Sequence, residues 1–423
     1  MDIRRRLQCM SFLQYFIWGS WVVTLGAYLI RTLGFNGSQV GAVYSSKGLA
    51  ALLMPALLGL LADRFVAAHR LYALCHGLSA LTLFWAADIR DADTLFWVMA
   101  LNMMCFMPTL ALSNTISYFC LDRHRLDTVA EFPAIRVFGT MGFIAAMWTV
   151  SLLGLELSHR QLQIAGTASL LLAAYALTLP EVTPARDGRN PHQSLRSRLG
   201  LDALALLAQP RMAVFFLFAM LLGVVLQITG TFGNPFLHDF AAQPAYRDSL
   251  VVRHPSLLLS VSQLSEIAFI LSIPFFLKRF GIKTVMLISM LAWTLRFGFF
   301  AFGNPSAGGM VLLLLSMVVY GCAFDFFNIS GSIFIEQEFG ADTRASAQGL
   351  FMTVVNGLGA FAGARLSGWV VDSFTTAGVR DWQSIWLVFA GYTLLLAGLF
   401  ALAFRPAPAP SAAQAPRSER THP

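Results

Sequence analysis

At 423 residues, with 57% hydrophobic and only 12% charged residues, the chain departs from a water-soluble domain, in which about a quarter of residues carry charge. A mean hydropathy of +0.66 excludes a soluble fold that hides its own apolar surface, and the length supplies about twelve membrane spans of roughly 20 residues with short loops. The net charge of +7 comes from Lys and Arg at the ends of apolar runs, a mark of membrane topology and not of nucleic-acid binding.

The chain opens on Met1-Asp2-Ile3-Arg4-Arg5-Arg6 and then turns apolar. No small-residue cleavage site follows, and Trp18 and Trp21 lie in the run, so a retained first helix is expected in place of a cleaved signal. Apolar runs fall at about 10–30, 39–61, 71–89, 94–118, 135–156, 161–180, 211–232, 256–277, 284–303, 308–335, 346–371 and 384–404, each long enough to span a bilayer. In lipid the backbone must bond to itself, so all twelve are read as helices. Between runs six and seven lies EVTPARDGRNPHQSLRSRLG, the longest internal polar stretch, read as a linker with a short surface helix. It divides the chain into a six-helix bundle over 1–180, a cytoplasmic linker over 181–210, a second six-helix bundle over 211–404 and a disordered tail over 405–423. A second polar loop, about 238–255, is placed to fold over the mouth on the opposite face. Cys9, Cys75, Cys105, Cys120 and Cys322 lie in or beside apolar runs without paired spacing, so they read as small hydrophobes and neither as disulfides nor as metal ligands.

Lys and Arg set the orientation. Segments that face the cytoplasm when the N-terminus is inside, such as those with Arg64, Arg123, Arg196 and Lys278, carry about three times as many Lys and Arg as those outside, so both termini are expected in the cytoplasm. The turn after run two reads Gly59-Leu60-Leu61-Ala62-Asp63-Arg64, and the equivalent turn after run eight carries Lys278, Arg279, Gly281 and Lys283. The first resembles the G-x-L-A-D-R-x-G signature of the major facilitator superfamily, with Val66 where the last glycine stands. Asp63 and Arg64 are therefore candidate gating residues: an acid at a helix end can pair with a cation or a helix N-terminus and hold one gate state.

A charge at a span's centre costs about 2.5–3.5 kcal/mol, so Lys47, Arg136, Glu266, Arg296, Asp325 and Arg365 each call for a reason. Helical spacing puts Arg136, Thr140 and Phe143 on one face, Gln263 with Glu266 on another, and Tyr320, Phe324 and Phe327 on a third, with Asp325 beside it. Gln14, Trp18 and Trp21 share a face of the first helix, and Gln227 adds an amide on run seven. Such faces are expected to turn toward a common cavity, where rings stack on a flat heterocycle and polar groups meet its edge and sugar. Bland alternatives stand beside these. Arg136 near a helix end can snorkel, Arg296 and Arg365 can pair within their own bundle, and Lys47 can neutralise a buried acid or line the cavity. Glu266 and Asp325, deep in long apolar runs, have the weakest bland reading. A carboxylate that takes up a proton moves past lipid without charge, which is the physical basis of proton coupling.

The runs SFLQYFIWGSW, GAVYSSKG, MPALLGLLAD, MPTLALSNTISY, IRVFGTMGFI, LQITGTFGNPFLHDF, VYGCAFDFFNISGS and RASAQGLF resemble those of the bacterial nucleoside:proton symporters of the major facilitator superfamily, from about Arg6 to Phe404. The resemblance implies an all-α membrane protein with two six-helix bundles, in the bacterial inner membrane. It would take up nucleosides, purine nucleosides such as xanthosine among them, with a proton and by alternating access. It implies a substrate site of Arg136, Thr140, Phe143, Gln227, Gln263, Glu266, Tyr320 and Phe324, with Asp325 and Glu266 as the proton-coupling acids. The chain departs from the family at Gln227-Ile228-Thr229-Gly230, where glycine replaces an asparagine; Thr229 or Asn234 would compensate only if the helix unwinds. No nucleophile–base spacing or phosphate loop points to an enzyme, and no cofactor, metal or nucleic-acid partner is expected; the chain is read as a monomer in the lipid bilayer. Two other classes stay open: a non-transporting membrane nucleoside sensor, which binds without flux, and an exporter of amphipathic compounds.

Overall fold

The computed structural model describes residues 2–61, 67–182, 201–339 and 341–404. The chain is almost wholly helical. Its elements are α1 (Ile3–Gly19), α2 (Leu25–Arg31), α3 (Gly37–Leu61), α4 (Ala68–Asp88), α5 (Ala92–Arg123), α6 (Thr128–Leu152), α7 (Arg160–Ala176), α8 (Pro210–Asp239), α9 (Leu250–Arg253), α10 (Pro255–Phe302), α11 (Ala307–Glu338), α12 (Ala341–Met352), α13 (Ala360–Ser373) and α14 (Trp382–Ala403). A two-residue hairpin, β1 (Thr375–Thr376) and β2 (Val379–Arg380), joins α13 to α14. Among the described residues, seven helical segments are long and apolar enough to cross a membrane. The outward surface carries Leu81, Trp97, Leu271 and Leu402, each more than half exposed, as a surface facing lipid requires. The fold is all-α, with several helices able to cross a membrane.

Three apolar runs are not simple helices. The first breaks over residues 20–24, where i→i+3 bonds mix with the helical ladder and the Ser20 hydroxyl donates to the Phe16 carbonyl at 2.7 Å. That local side-chain bond competes with the ladder, which gives the bend a cause. Runs eight and nine are both held in α10, and Gly281, at φ 74° and ψ 165°, turns the chain between them. Run eleven widens into a π-helical segment, Thr353–Gly359, between α12 and α13. The loop over 238–255 bonds within itself, as in Tyr246 N–H to Gln243 and His254 N–H to Leu250, and reaches the opposite half, with His254 Nδ1 3.0 Å from the Ser151 carbonyl oxygen. All five cysteines are free thiols. The linker from 183 to 200, the tail from 405, and Asp63 and Arg64 lie outside the described residues.

Packing is local within each half of the chain: α1 on α6, α4 on α5 and α7, and α10 on α11 and α14. The halves meet along α3 with α13, α2 with α8, and α6 with α10. At Gly41 a side chain would overlap the Ala364 carbonyl, so the α3–α13 seam is a backbone-to-backbone contact of small residues, a usual solution where lipid offers no hydrophobic drive.

Polar ties between the halves gather at the end where α2 meets α8. Arg31 and Arg380 both pair with Asp239, at 3.0 and 3.1 Å. Asp372, in the last turn of α13, accepts from the backbone N–H of Gly37 at 2.6 Å and of Ser38 at 2.8 Å, capping α3 from the opposite half. Glu156, in the loop before α7, accepts from Asn234 at 2.7 Å, from the Ser256 N–H at 3.3 Å, and lies 3.2 Å from His238. At the other end, the ion pairs among the described residues stay within one half: Arg4–Glu131, Arg70–Glu181, Arg211–Glu338 and Arg344–Glu336.

Candidate functional site

From the C-terminal half, α11 contributes Asp325, which is 4% exposed, and its Oδ2 is buried without a hydrogen-bond partner. One turn earlier Tyr320 stacks on Phe324, with ring centres 5.6 Å apart and planes 19° off parallel. Half-buried Glu266 on α10 interacts electrostatically with Asp325 and with Tyr320. Gly321 sets this arrangement: a Cβ there would lie 2.5 Å from the Ser265 carbonyl oxygen and 2.8 Å from the Glu266 nitrogen. The Ser265 hydroxyl also donates to the Val318 carbonyl, so the two helices lock one residue from Glu266 and one turn from Asp325. Gln263 shares the Glu266 face, is half-buried, and makes no side-chain hydrogen bond among the described residues.

The N-terminal half faces these acids with a cation on an aromatic strip. The Arg136 guanidinium lies 4.3 Å from the ring centre of Tyr15 and interacts electrostatically with Glu266 across the halves. Thr140 and Phe143 follow Arg136 along α6, both half-buried. Tyr15 stacks on Trp18 at 6.4 Å, and the Lys47 ammonium lies 5.3 Å from the Trp18 ring centre. The expectation that Lys47 neutralises a buried acid is not met among the described residues. Opposite charges that approach without direct contact leave room for a ligand between them.

Gln227 on α8 is 8% exposed and its amide makes no hydrogen bond among the described residues. Gly230, one turn on, is exposed, and a Cβ there would have nothing within 4 Å. Position 230 thus opens on free space. α8 is continuous through this stretch, and the Asn234 amide nitrogen donates to Glu156 and Ser256 while its Oδ1 has no partner.

Two further expectations are corrected. Gln14 does not face the cavity but is fully buried, donating to Thr109 at 2.8 Å and accepting from Tyr72 at 2.6 Å, with His76 Nε2 2.9 Å away. An amide with partners on α4 and α5 is satisfied within its own half, so it has no need of a ligand. Arg365 is not confined to its own half: its guanidinium lies 5.7 Å from the Phe361 ring centre there, but its Nε donates to Ser45 Oγ at 3.1 Å and the guanidinium lies 5.3 Å from the Phe96 ring centre of the opposite half. Arg296 stays within its own half as expected, donating to the Ser316 carbonyl at 2.6 Å and lying 4.5 Å from the Tyr320 ring centre. Tyr15 escaped the sequence reading, because the apolar face of α1 was set one residue off; its three-residue spacing to Trp18 is the signal that finds it.

The chain matches the nucleoside H+ symporter family over residues 1–409. It is 65% identical over 405 residues to xanthosine permease of Escherichia coli (strain K12), covering 96% of each chain. It is 52% identical to nucleoside permease NupG of the same organism, again covering 96% of each. The crystal structure of nucleoside transporter NupG superposes with a TM-score of 0.91, covering 96% of this chain and all of that one. Sequence, fold and the acid–cation–aromatic arrangement between the halves agree, and the chain belongs to the nucleoside H+ symporter family.

Proposed function

We propose that the protein carries nucleosides, and purine nucleosides such as xanthosine in particular, across the bacterial inner membrane together with a proton. The observation that carries this reading is the Asp325 carboxyl: buried, with an unpartnered oxygen, beside Glu266, which in turn faces Arg136 of the opposite half. An ionised carboxylate without partners is costly to move past lipid, and the same group carrying a proton is not. Proton loading at Asp325, with Glu266 as the second acid, thereby permits the halves to rock about a nucleoside. Tyr320, Phe324 and Phe143 offer faces to the base, and Arg136, Thr140, Gln227, Gln263 and Glu266 offer donors and acceptors to its edge and sugar.

The two halves act as the six-helix bundles 1–180 and 211–404, joined by the 181–210 linker, with both termini in the cytoplasm. The positive-inside bias then puts the tied end, with Asp239, Glu156 and Asp372, outside. The protein works as a monomer, with Asp63 and Arg64 at the cytoplasmic gate. A conformation tied outside and without ion pairs between the halves inside among its described residues is the one that releases cargo inward.

The test is uptake of labelled xanthosine into proteoliposomes under an inward proton gradient. The reading expects accumulation above the external concentration, abolished by a proton uncoupler; accumulation indifferent to the uncoupler overturns the coupling.

A further inference from the structure

Lys47 lies within α3, half-buried, and among the described residues no carboxylate, carbonyl or hydroxyl accepts from its ammonium. Two of the other cations placed within spans have such an acceptor, and the third has an acid of the opposite half in its field. Arg296 donates to the Ser316 carbonyl, Arg365 to the Ser45 hydroxyl, and Arg136 faces Glu266. Lys47 has only the face of Trp18, and the Trp18 indole Nε1 is itself a buried donor without an acceptor. Two adjacent donors, one of them charged, are therefore left unmatched. A buried donor without a partner is costly, and most such groups in folded proteins are satisfied.

The pair is also connected to the candidate site. Trp18 stacks on Tyr15, and Tyr15 carries Arg136, so Lys47, Trp18, Tyr15 and Arg136 form one strip along the N-terminal helices. Gly48, next to Lys47 in α3, abuts the backbone of Phe361 in α13, which places Lys47 beside the seam between the halves. A flat ligand lying against Trp18 and Tyr15 would meet a cation at each end of the strip.

Most nucleosides are neutral and give a lone ammonium little beyond a hydrogen bond. A purine with two oxo groups differs: its ring N–H is acidic enough to be lost near neutral pH, and the resulting charge spreads over the oxygens and ring nitrogens. We propose that Lys47, with Trp18, forms a subsite that selects nucleosides whose base is a dioxopurine anion over those with a neutral base. The proposal rests on the nucleoside reading and deepens it: the ammonium supplies the counter-charge and the indole N–H a second donor, while the ring stacks on the base.

The experiment compares labelled xanthosine with labelled inosine, whose base has one oxo group and is neutral at pH 7.5, in proteoliposomes holding the unmodified protein, Lys47→Met or Lys47→Arg. The expected result is a half-saturating xanthosine concentration raised about tenfold or more in Lys47→Met, an inosine value within about twofold of the unmodified protein, and a xanthosine preference kept in Lys47→Arg. Inosine transport also reports that the variant is folded. Equal weakening of both nucleosides, loss of both in Lys47→Met, or an unchanged xanthosine-to-inosine ratio overturns the proposal. Failure of the unmodified protein to transport either nucleoside sinks the nucleoside reading itself, a result distinct from any of these.

Discussion

Replacing Asp325 by Asn keeps the size of a carboxyl group and removes its exchange of protons. If Asp325 is the coupling acid, Asp325→Asn loses accumulation against a gradient yet still exchanges labelled for unlabelled nucleoside across the membrane. Counterflow with collapsed accumulation is the expected pair of results, and full accumulation sinks the role. Gly230→Asn probes the opposite situation, an added group. Since a Cβ there meets nothing within 4 Å, the variant is expected to fold without loss of thermal stability, glycine being the costliest ordinary residue within a helix at about 1 kcal/mol. Its effect belongs to selectivity: competition by a nucleoside panel changes order while total uptake persists, and an unchanged order removes Gly230 from the site. Asp325 and Glu266 were legible in the sequence because an acid inside a long apolar run has few structural excuses. Gln14 misled for the converse reason. Its partners Thr109, Tyr72 and His76 sit on other helices, and no spacing within α1 reveals that they satisfy it.

At the scale of elements, the apolar runs fall largely within helices, because lipid imposes a length and an apolarity that any spanning helix must meet. Hydropathy did not show where helices break. The bend over 20–24 depends on one hydroxyl bonding a carbonyl, and the turn at Gly281 on one backbone angle, and neither alters an average over many residues. The contact of α10 with α11 is likewise invisible to hydropathy, yet it holds Glu266 near Asp325. Gly321→Ala therefore tests whether the site is built by that contact. With a Cβ 2.5 Å from the Ser265 carbonyl oxygen, the variant should lose about 1–3 kcal/mol of stability, read as a lower melting temperature in detergent, with nucleoside uptake falling alongside. Gly298→Ala on the same α10 is the control: its Cβ meets nothing within 4 Å, and its melting temperature is expected to hold or rise slightly. Equal melting of the two variants would mean that the helices part freely at Ser265.

For the whole molecule, the polar ties at one end join segments far apart in the chain, so their residues look like ordinary loop positions in the sequence. Glu156 gives the tied end a pH dependence. Burial pushes its carboxyl upward, but His238, Asn234 and Ser151 outweigh that and hold it below the usual carboxylate range. A depressed carboxylate contributes stability that is full above its ordinary pKa of about 4.3 and is lost as pH falls through the lower value. The tied state should therefore weaken as pH falls through the acid range. Glu156→Gln should flatten that acid limb in melting curves recorded against pH, and an acid limb that survives in the variant assigns it elsewhere.

Asp372 tests whether these ties govern orientation at all. It caps α3 from the opposite half through the N–H groups of Gly37 and Ser38, so its bonds exist only while the seam at that end is closed. A helix cap is worth about 0.5–2 kcal/mol, so its loss should shift the ratio of tied to untied states by roughly twofold to thirtyfold. Spin labels at Leu153 and Leu250, which are 63% and 65% exposed on opposite halves, would read that shift as a second, longer distance. The longer component should grow in Asp372→Ala and grow less in Asp372→Asn, which keeps an acceptor oxygen. Substrate added to Asp372→Ala would then redistribute the two distances, since a ligand moves such an equilibrium by its differential affinity for the two states. An unchanged distance distribution in Asp372→Ala would mean that the small-residue seam of α3 on α13 holds that end closed without the cap.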